Sequence, residues 1–266
     1  LICAIAPPGG ARSQIPPRLL RHFYVYSSVD NPAPVLVRIF SRIAKWISLK
    51  KNLSEDATRV LGFAVEASIE LYKILSEQLK PTPAKPHYIF NLRDITKIFQ
   101  GVNIADPKEF KTTNKICRLW IHETCRVLND RLLFAKDKEL LYSKIKYVLG
   151  LKMRAQMDQV IQEIFGKGSE VKLEDSPADL DKIIFTDLLA EAADVVDREY
   201  VEQPDLELIK KKIELELEEY NATKKDTMAI SIFDFAVLQI LKICRILKLD
   251  KSHGLLLGLG GSGRQT

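Results

Sequence analysis

Leu255-Leu256-Leu257-Gly258-Leu259-Gly260-Gly261-Ser262-Gly263-Arg264-Gln265-Thr266 is an apolar run that turns into a glycine-rich loop. A phosphate-binding loop begins this way. A strand delivers the chain, glycines let backbone N–H groups close around phosphate oxygens, and the N-terminus of the following helix adds positive potential. Against G-x-x-x-x-G-K-[ST], Gly258 and Gly263 fit, Arg264 stands for the lysine and Gln265 for the Ser/Thr, while Gly260, Gly261 and Ser262 supply loop backbone between them. Arginine pairs with phosphate as a fixed planar fork. Glutamine has no hydroxyl for Mg²⁺; Thr266 has one, a residue late. The chain stops where the loop's helix is expected, as a piece of a longer nucleotide-binding protein would. A Gly/Ser linker or an expression scar is the alternative reading of the same residues.

Working back from the loop, the pattern becomes helical. Ile232–Leu247 predicts a helix burying Phe233, Val237, Ile240, Leu241 and Cys244, and Asp205–Tyr220 one with Leu206, Ile209, Ile213, Leu217 and Tyr220 on one stripe. The pairs Glu207/Lys211, Lys210/Glu214 and Lys212/Glu216 fall on its wet side. Lys182–Asp187 suits a short extended segment, and Leu140–Leu149 and Met153–Phe165 two helices followed by a loop at Gly166–Ser169. Thr112–Leu133 predicts a long helix burying Ile116, Trp120, Val127 and Leu128, and Asn91–Gln100 a short one closed by Gly101. Ala57, Val60, Leu61, Ala64, Ser68, Leu71, Leu75 and Leu79 form the core stripe of a further helix, capped by Asn52 with Glu55 completing a capping box, and ended by Pro81-Thr82-Pro83-Ala84-Lys85-Pro86. The helix from Pro34 presents Val35, Ile39, Ile43 and Ile47 on one face. At the other end of the chain, Leu1–Ala6 and His22–Tyr26 suit strands, with Pro7-Pro8-Gly9-Gly10 and a basic loop between them. The expected fold is therefore mainly α: a helical block flanked by short strands of two incomplete P-loop α/β modules. The boundaries expected are 1–30, 31–225 and 226–266.

Bulk properties narrow the function. Residues 1–50 carry seven Lys/Arg and one acid, while 170–219 carry seventeen acids and six bases, an asymmetry between segments with no base-stacking motif to make it a nucleic-acid surface. The cysteines (Cys3, Cys117, Cys125, Cys244) are far apart and form no C-x-x-C, which reads as reduced thiols. His122-Glu123 continues Thr-Cys-Arg and not as H-E-x-x-H, and no metal site is expected. Ile183–Asp187 and Ile230–Asp234 mimic a metal-binding strand end, but neither is followed by Glu and both precede the loop. Asp234, Lys242 and Arg245 interrupt the apolar stretch 229–247, so no membrane span is expected.

Longer motifs carry a resemblance. Pro7-Pro8-Gly9-Gly10-Ala11-Arg12, Pro17-Arg18-Leu19-Leu20-Arg21-His22-Phe23, and Pro81-Thr82-Pro83-Ala84-Lys85-Pro86-His87-Tyr88-Ile89-Phe90-Asn91-Leu92-Arg93-Asp94 with Gln100-Gly101 resemble segments of dynein heavy chains, as do Phe185-Thr186-Asp187, Glu219-Tyr220-Asn221 and the terminal loop. Gly-Ser-Gly-Arg-Gln is similar to axonemal more than to cytoplasmic heavy chains. The resemblance runs over essentially the whole chain. It implies the late part of a third AAA+ module, its helical lid, and the start of a fourth up to the P-loop. Ala11, Ser13 and Pro16 depart from the family's Gly, Asn and Thr, and serine reaches less far toward a γ-phosphate than asparagine.

The resemblance further implies site roles. Arg18 and Arg21 are candidates for the arginine that crosses to a neighbouring module's nucleotide, Arg93 for the lid arginine that contacts its own, and 258–266 for the phosphate loop. Solvation or pairing with acids of the lid is the plainer alternative for Arg18 and Arg21, and a helix-surface ion pair with Asp94 or a neighbouring acid for Arg93. The cofactors implied are ATP or ADP, with Mg in the intact motor. The partners implied are neighbouring AAA+ modules, microtubules, and dynein intermediate and light chains, with no nucleic acid and no membrane. The setting implied is the cytoplasm and cytoskeleton, at the ciliary axoneme. A non-catalytic helical interaction module with a vestigial P-loop is the competing function.

Overall fold

A computed structural model describes residues 1–5, 14–28, 31–153, 160, 177–190, 198–224, 227–249 and 252–256. Its framework is the long helix α3 (Glu55–Gln78), packed between α2 (Ala33–Lys50) and α5 (Thr113–Leu128), with α4 (Leu92–Ile104) and α6 (Ala135–Val148) closing the bundle. The four-residue helix α1 (Pro17–Leu20) precedes it. Every member of the stripe read on α3, from Ala57 to Leu79, is buried. Burying such Leu and Val side chains stabilises by roughly 1.5–3 kcal/mol each, which makes this seam the main source of cohesion. Ser68 belongs in that stripe because its hydroxyl is fully used. It donates to the Ala64 carbonyl at 2.8 Å and accepts from Trp120 Nε1 at 2.8 Å, so neither polar group is stranded in the core.

Several helix ends differ from expectation. Ser54, not Asn52, caps α3 by accepting from the Ala57 N–H, while Asn52 sits in the left-handed region at φ 51°, which its short polar side chain tolerates. On α2 the buried apolar residues are Leu36, Phe40, Ala44 and Ile47; Val35 and Ile39 face outward. That helix is apolar on both sides of the expected stripe, so its neighbours α3 and α4 choose the face. Gly101 does not close α4. Asn91 and Asp94 form a full capping box at its start, and the helix runs through Gly101 to Ile104. The Pro81–Pro86 segment is pinned where Lys85 Nζ meets Asp137 at 2.9 Å and the buried Tyr88 hydroxyl donates to the same carboxylate at 2.9 Å.

A smaller core gathers Ile184, Ile209, Ile213 and Val237. The strands β1 (Phe185–Thr186) and β2 (Val201–Glu202) pair antiparallel beside it, with Phe185 opposite Glu202. The helices α7 (Leu206–Thr223) and α8 (Asp234–Lys248) pack over them. Asp205 caps α7, and Lys212 pairs with Glu216 at 2.8 Å. On α8, Val237 is buried as expected, Ile240, Leu241 and Cys244 are half-buried, Phe233 is exposed, and Arg245 is buried in its place. The expected terminal strands are not formed among the described residues. Leu1–Ile5, Tyr24–Tyr26 and Leu255–Leu256 are exposed and irregular. A strand needs a neighbour for its N–H and C=O groups, and among the described residues no partner strand lies beside them. The helix expected at Met153–Phe165 and the loop at Gly166–Ser169 lie largely outside the described residues.

Candidate inter-module seam and nucleotide-facing residues

The C-terminal half of α5 faces α8 across a buried polar site. Glu123 occupies a core position on α5, one turn after Trp120 and one before Val127, and is wholly buried. Its carboxylate is enclosed by partners. Arg126 Nε donates to Oε2 at 3.0 Å, Arg245 Nη2 donates to the same oxygen at 2.6 Å, and the Tyr200 hydroxyl lies 3.2 Å from Oε1. Arg245 also donates from Nη1 to the Tyr200 hydroxyl and lies over that ring. Burial alone would push the Glu123 carboxyl up, but the Arg245 and Arg126 guanidiniums outweigh it and hold the group below its usual value. Burial pushes Arg245 down to about 10, against the pull of Glu123, so it remains a cation at neutral pH.

Gly101 makes this approach possible. A Cβ there would overlap the Glu123 carboxylate and lie 2.5 Å from Arg245 Nη2. The glycine on α4 is therefore a space requirement, with no call on its backbone freedom. His122 completes the site. It is half-buried, with Nδ1 2.9 Å from the Ile183 carbonyl and Nε2 3.0 Å from the Tyr200 hydroxyl. Burial pushes it down to about 4, partly opposed by Glu123 and reinforced by Arg245 and Arg126, so the ring is neutral.

Two further pairs tie α8 to the same body. Lys242 meets Asp130 at 2.8 Å, and Lys248 meets Asp187 at 2.8 Å while also donating to the Arg198 carbonyl. Arg118 on α5 clamps Glu202 of β2 with two bonds, at 2.6 and 3.0 Å. Asp187, at the end of one of the two metal-site mimics, is thus an ion-pair partner. The sequence signal for the seam was a charge at a stripe position: Glu123 among Trp120 and Val127, and Arg245 four residues after Leu241. An apolar stripe gives such paired charges no weight.

The residues singled out from sequence lie apart from this seam. Arg18 and Arg21 are exposed at α1, and Arg21 Nε approaches His22 Nε2 at 3.1 Å. Arg93 is exposed in the first turn of α4. The ion pair with Asp94 offered as its plain alternative is not formed. Asp94 is buried and taken by Arg131 at 2.5 Å and by its own capping bond to the Asn91 N–H. Residues 258–266, Arg12 and Ser13 lie outside the described residues. Among the described residues no cluster of three or more His, Cys, Asp or Glu is arranged to hold a metal ion, and no helix is long and apolar enough to cross a membrane.

Known proteins place these parts. Residues 64–165 match the AAA+ lid domain family, and 228–266 match the P-loop containing dynein motor region D4. Glu123 lies in the first match and Arg245 in the second, so their buried pair joins the two. The whole chain is 34% identical to dynein axonemal heavy chain 12 of Mus musculus, covering 8% of that protein. It is 35% identical to dynein axonemal heavy chain 3 of Mus musculus, and 33% identical to dynein axonemal heavy chain 1 of Homo sapiens, each over 100% of this chain and 6% of the relative. The chain thus spans less than a tenth of the length of these relatives. It belongs to the dynein heavy-chain family, as a counterpart of the AAA+ ring segment in which a helical lid leads into the D4 P-loop region.

Proposed function

We propose that this chain works as a coupling segment of an ATP-driven, minus-end-directed microtubule motor of cilia and flagella. In this reading 1–30 is the end of a third AAA+ core, 31–225 its lid and connecting region, and 226–266 the start of the fourth module. The observation that carries it is the dry Glu123–Arg245 pair, which fastens the lid to the helix that leads into the phosphate loop. Removing one partner of a buried pair leaves an uncompensated charge, at a cost of about 3–5 kcal/mol, so the lid and α8 are expected to move together.

The nucleotide roles follow from the same reading. Backbone N–H groups of Gly258, Gly260, Gly261, Ser262 and Gly263, with Arg264, would hold the phosphates of ATP or ADP, and Gln265 or Thr266 would stand nearest any Mg²⁺. Arg93, with its neighbouring acid engaged elsewhere, would reach its own module's nucleotide. Arg18 or Arg21 would reach across to the preceding module, where a cation next to the transferring phosphoryl group stabilises developing charge. Bound nucleotide supplies the hydrolytic chemistry, while these residues orient it and transmit its state. Microtubules, dynein intermediate and light chains, and an axonemal setting are partners and place of the intact heavy chain. The test is Glu123→Gln in a full heavy chain. A folded variant should glide with a weakened dependence of speed on ATP. Gliding and nucleotide release identical to wild type would refute the coupling role.

A further inference from the structure

The hydrogen-bond inventory around Tyr200 does not close in a single way, and how it closes depends on Arg245. The Ile183 carbonyl can only accept, so His122 Nδ1 carries a proton and, in the neutral ring, Nε2 accepts. The proton that Nε2 accepts is the single hydroxyl proton of Tyr200, 3.0 Å away. Glu123 Oε1, 3.2 Å from the same hydroxyl, is its alternative acceptor. Arg245 Nη1 donates into that hydroxyl oxygen from the other side. If Nε2 takes a proton from solvent, it becomes a second cationic donor aimed at the oxygen Arg245 already occupies. Tyr200 keeps its own proton and turns it to Glu123.

We propose that the seam between α5 and α8 is a proton-linked joint: withdrawal of Arg245 from the Tyr200–Glu123 site raises the proton affinity of His122 Nε2, and a charged ring there opposes the return of Arg245. The groups facing His122 fit this balance. Its own helix presents Glu123 and Arg126, α8 presents Arg245, the segment before β2 presents Tyr200, and β1 presents the ring of Phe185, with centroids 5.4 Å apart. Closed, the site sets two guanidiniums against one carboxylate beside the ring. Open, one guanidinium leaves and the carboxylate stays, so the imidazolium is favoured. Linkage is reciprocal: whatever closure does to proton affinity, protonation does to closure. The inference rests on the geometry of the seam alone and does not require the motor reading.

The experiment is an NMR titration of the histidines of the full 266-residue chain, wild type and Arg245→Gln. His22, His87 and His253 are exposed and serve as internal references. The expected result is a His122 midpoint raised by at least about one pH unit in Arg245→Gln, a tenfold change in proton affinity, with the other three unmoved. An unmoved His122 in a folded variant overturns the proposal. Should the variant unfold, all four midpoints converge, and the wild type decides by amide exchange of residues 234–248, corrected for intrinsic rates. Opening of α8 that rises several-fold between pH 7 and pH 4.5 in wild type, and not in His122→Asn, supports the joint. Equal pH dependence in the two overturns it.

Discussion

Replacing Gly101 by alanine sets two effects of opposite sign against each other at one position. Gly101 lies inside α4, where alanine would ordinarily gain roughly 1 kcal/mol of helix propensity. The added Cβ, however, lands on the Glu123 carboxylate and 2.5 Å from Arg245 Nη2. A surface glutamate would swing aside at little cost. Glu123 is wholly buried and held by Arg126, Arg245 and Tyr200, so moving it separates a buried ion pair, worth about 3–5 kcal/mol when broken. The expected balance is a net loss of about 2–4 kcal/mol for Gly101→Ala. Gly62 is the control. It also lies within a helix, α3, but nothing stands within 4 Å of its would-be Cβ, so Gly62→Ala should stabilise by up to about 1 kcal/mol. Urea unfolding of the two variants and wild type, followed by circular dichroism, reads both signs in one experiment. A Gly101→Ala protein as stable as Gly62→Ala would mean that the seam tolerates displacement and that Glu123–Arg245 does not hold it.

Lowering pH should destabilise the chain through His122. Its folded pKa of about 4 lies below the unfolded value of 6.5, so the stability it contributes is present above pH 6.5 and is lost as pH falls through 4, by about 3 kcal/mol in all; His122→Asn should flatten that slope in urea titrations, and an unchanged slope would remove His122 as its source. In a full motor, Arg18→Ala or Arg21→Ala should speed nucleotide release or slow hydrolysis at the preceding module with the lid intact. Wild-type off-rates and gliding speed in both would leave these arginines as surface charges. The 266-residue chain should not turn over ATP, since Arg264 stands for the loop's lysine and Gln265 lacks the hydroxyl that would meet Mg²⁺. Steady phosphate release that disappears in Arg264→Ala would contradict this.

How much of this was legible depended on what decided each feature. The α3 stripe was readable because its apolar positions recur at three- and four-residue spacing; Val65, Ala67 and Ile69, which lie off the stripe, are buried as well because α3 is packed on more than one side. The α2 face was not, because Val35 and Ile39 are as apolar as Leu36 and Phe40 and only the neighbouring helices separate them. Of the extended segment expected at 182–187, Phe185–Thr186 forms β1 because β2 supplies the missing bonds, while Lys182 ends a 3₁₀ turn. The runs at 1–5, 24–26 and 255–256 are similarly apolar but have no such neighbour among the described residues, and they are irregular. Glu123, Tyr200 and Arg245 escaped because they are brought together by tertiary packing across 122 positions of chain, and hydrophobic periodicity gives no weight to a paired charge in the interior. Arg93 was found through a long motif, and its surroundings became clear only when Asp94 proved to be engaged by Arg131.

The three cations on α8 also decide how that helix carries force. Lys242, Arg245 and Lys248 span about 9 Å of helix axis, at a rise of roughly 1.5 Å per residue. A pull along the axis loads all three attachments at once, so they resist in parallel. A pull across the axis loads them in succession from one end. The ends are unequal: the Lys242–Asp130 side chains are 42% and 31% exposed, against 9% and 10% for Lys248–Asp187. Salt screens the wetter pair more. Transverse rupture should therefore begin at Lys242 and weaken with ionic strength, while resistance to axial shear, which engages the dry Arg245 attachment from the outset, should hardly change.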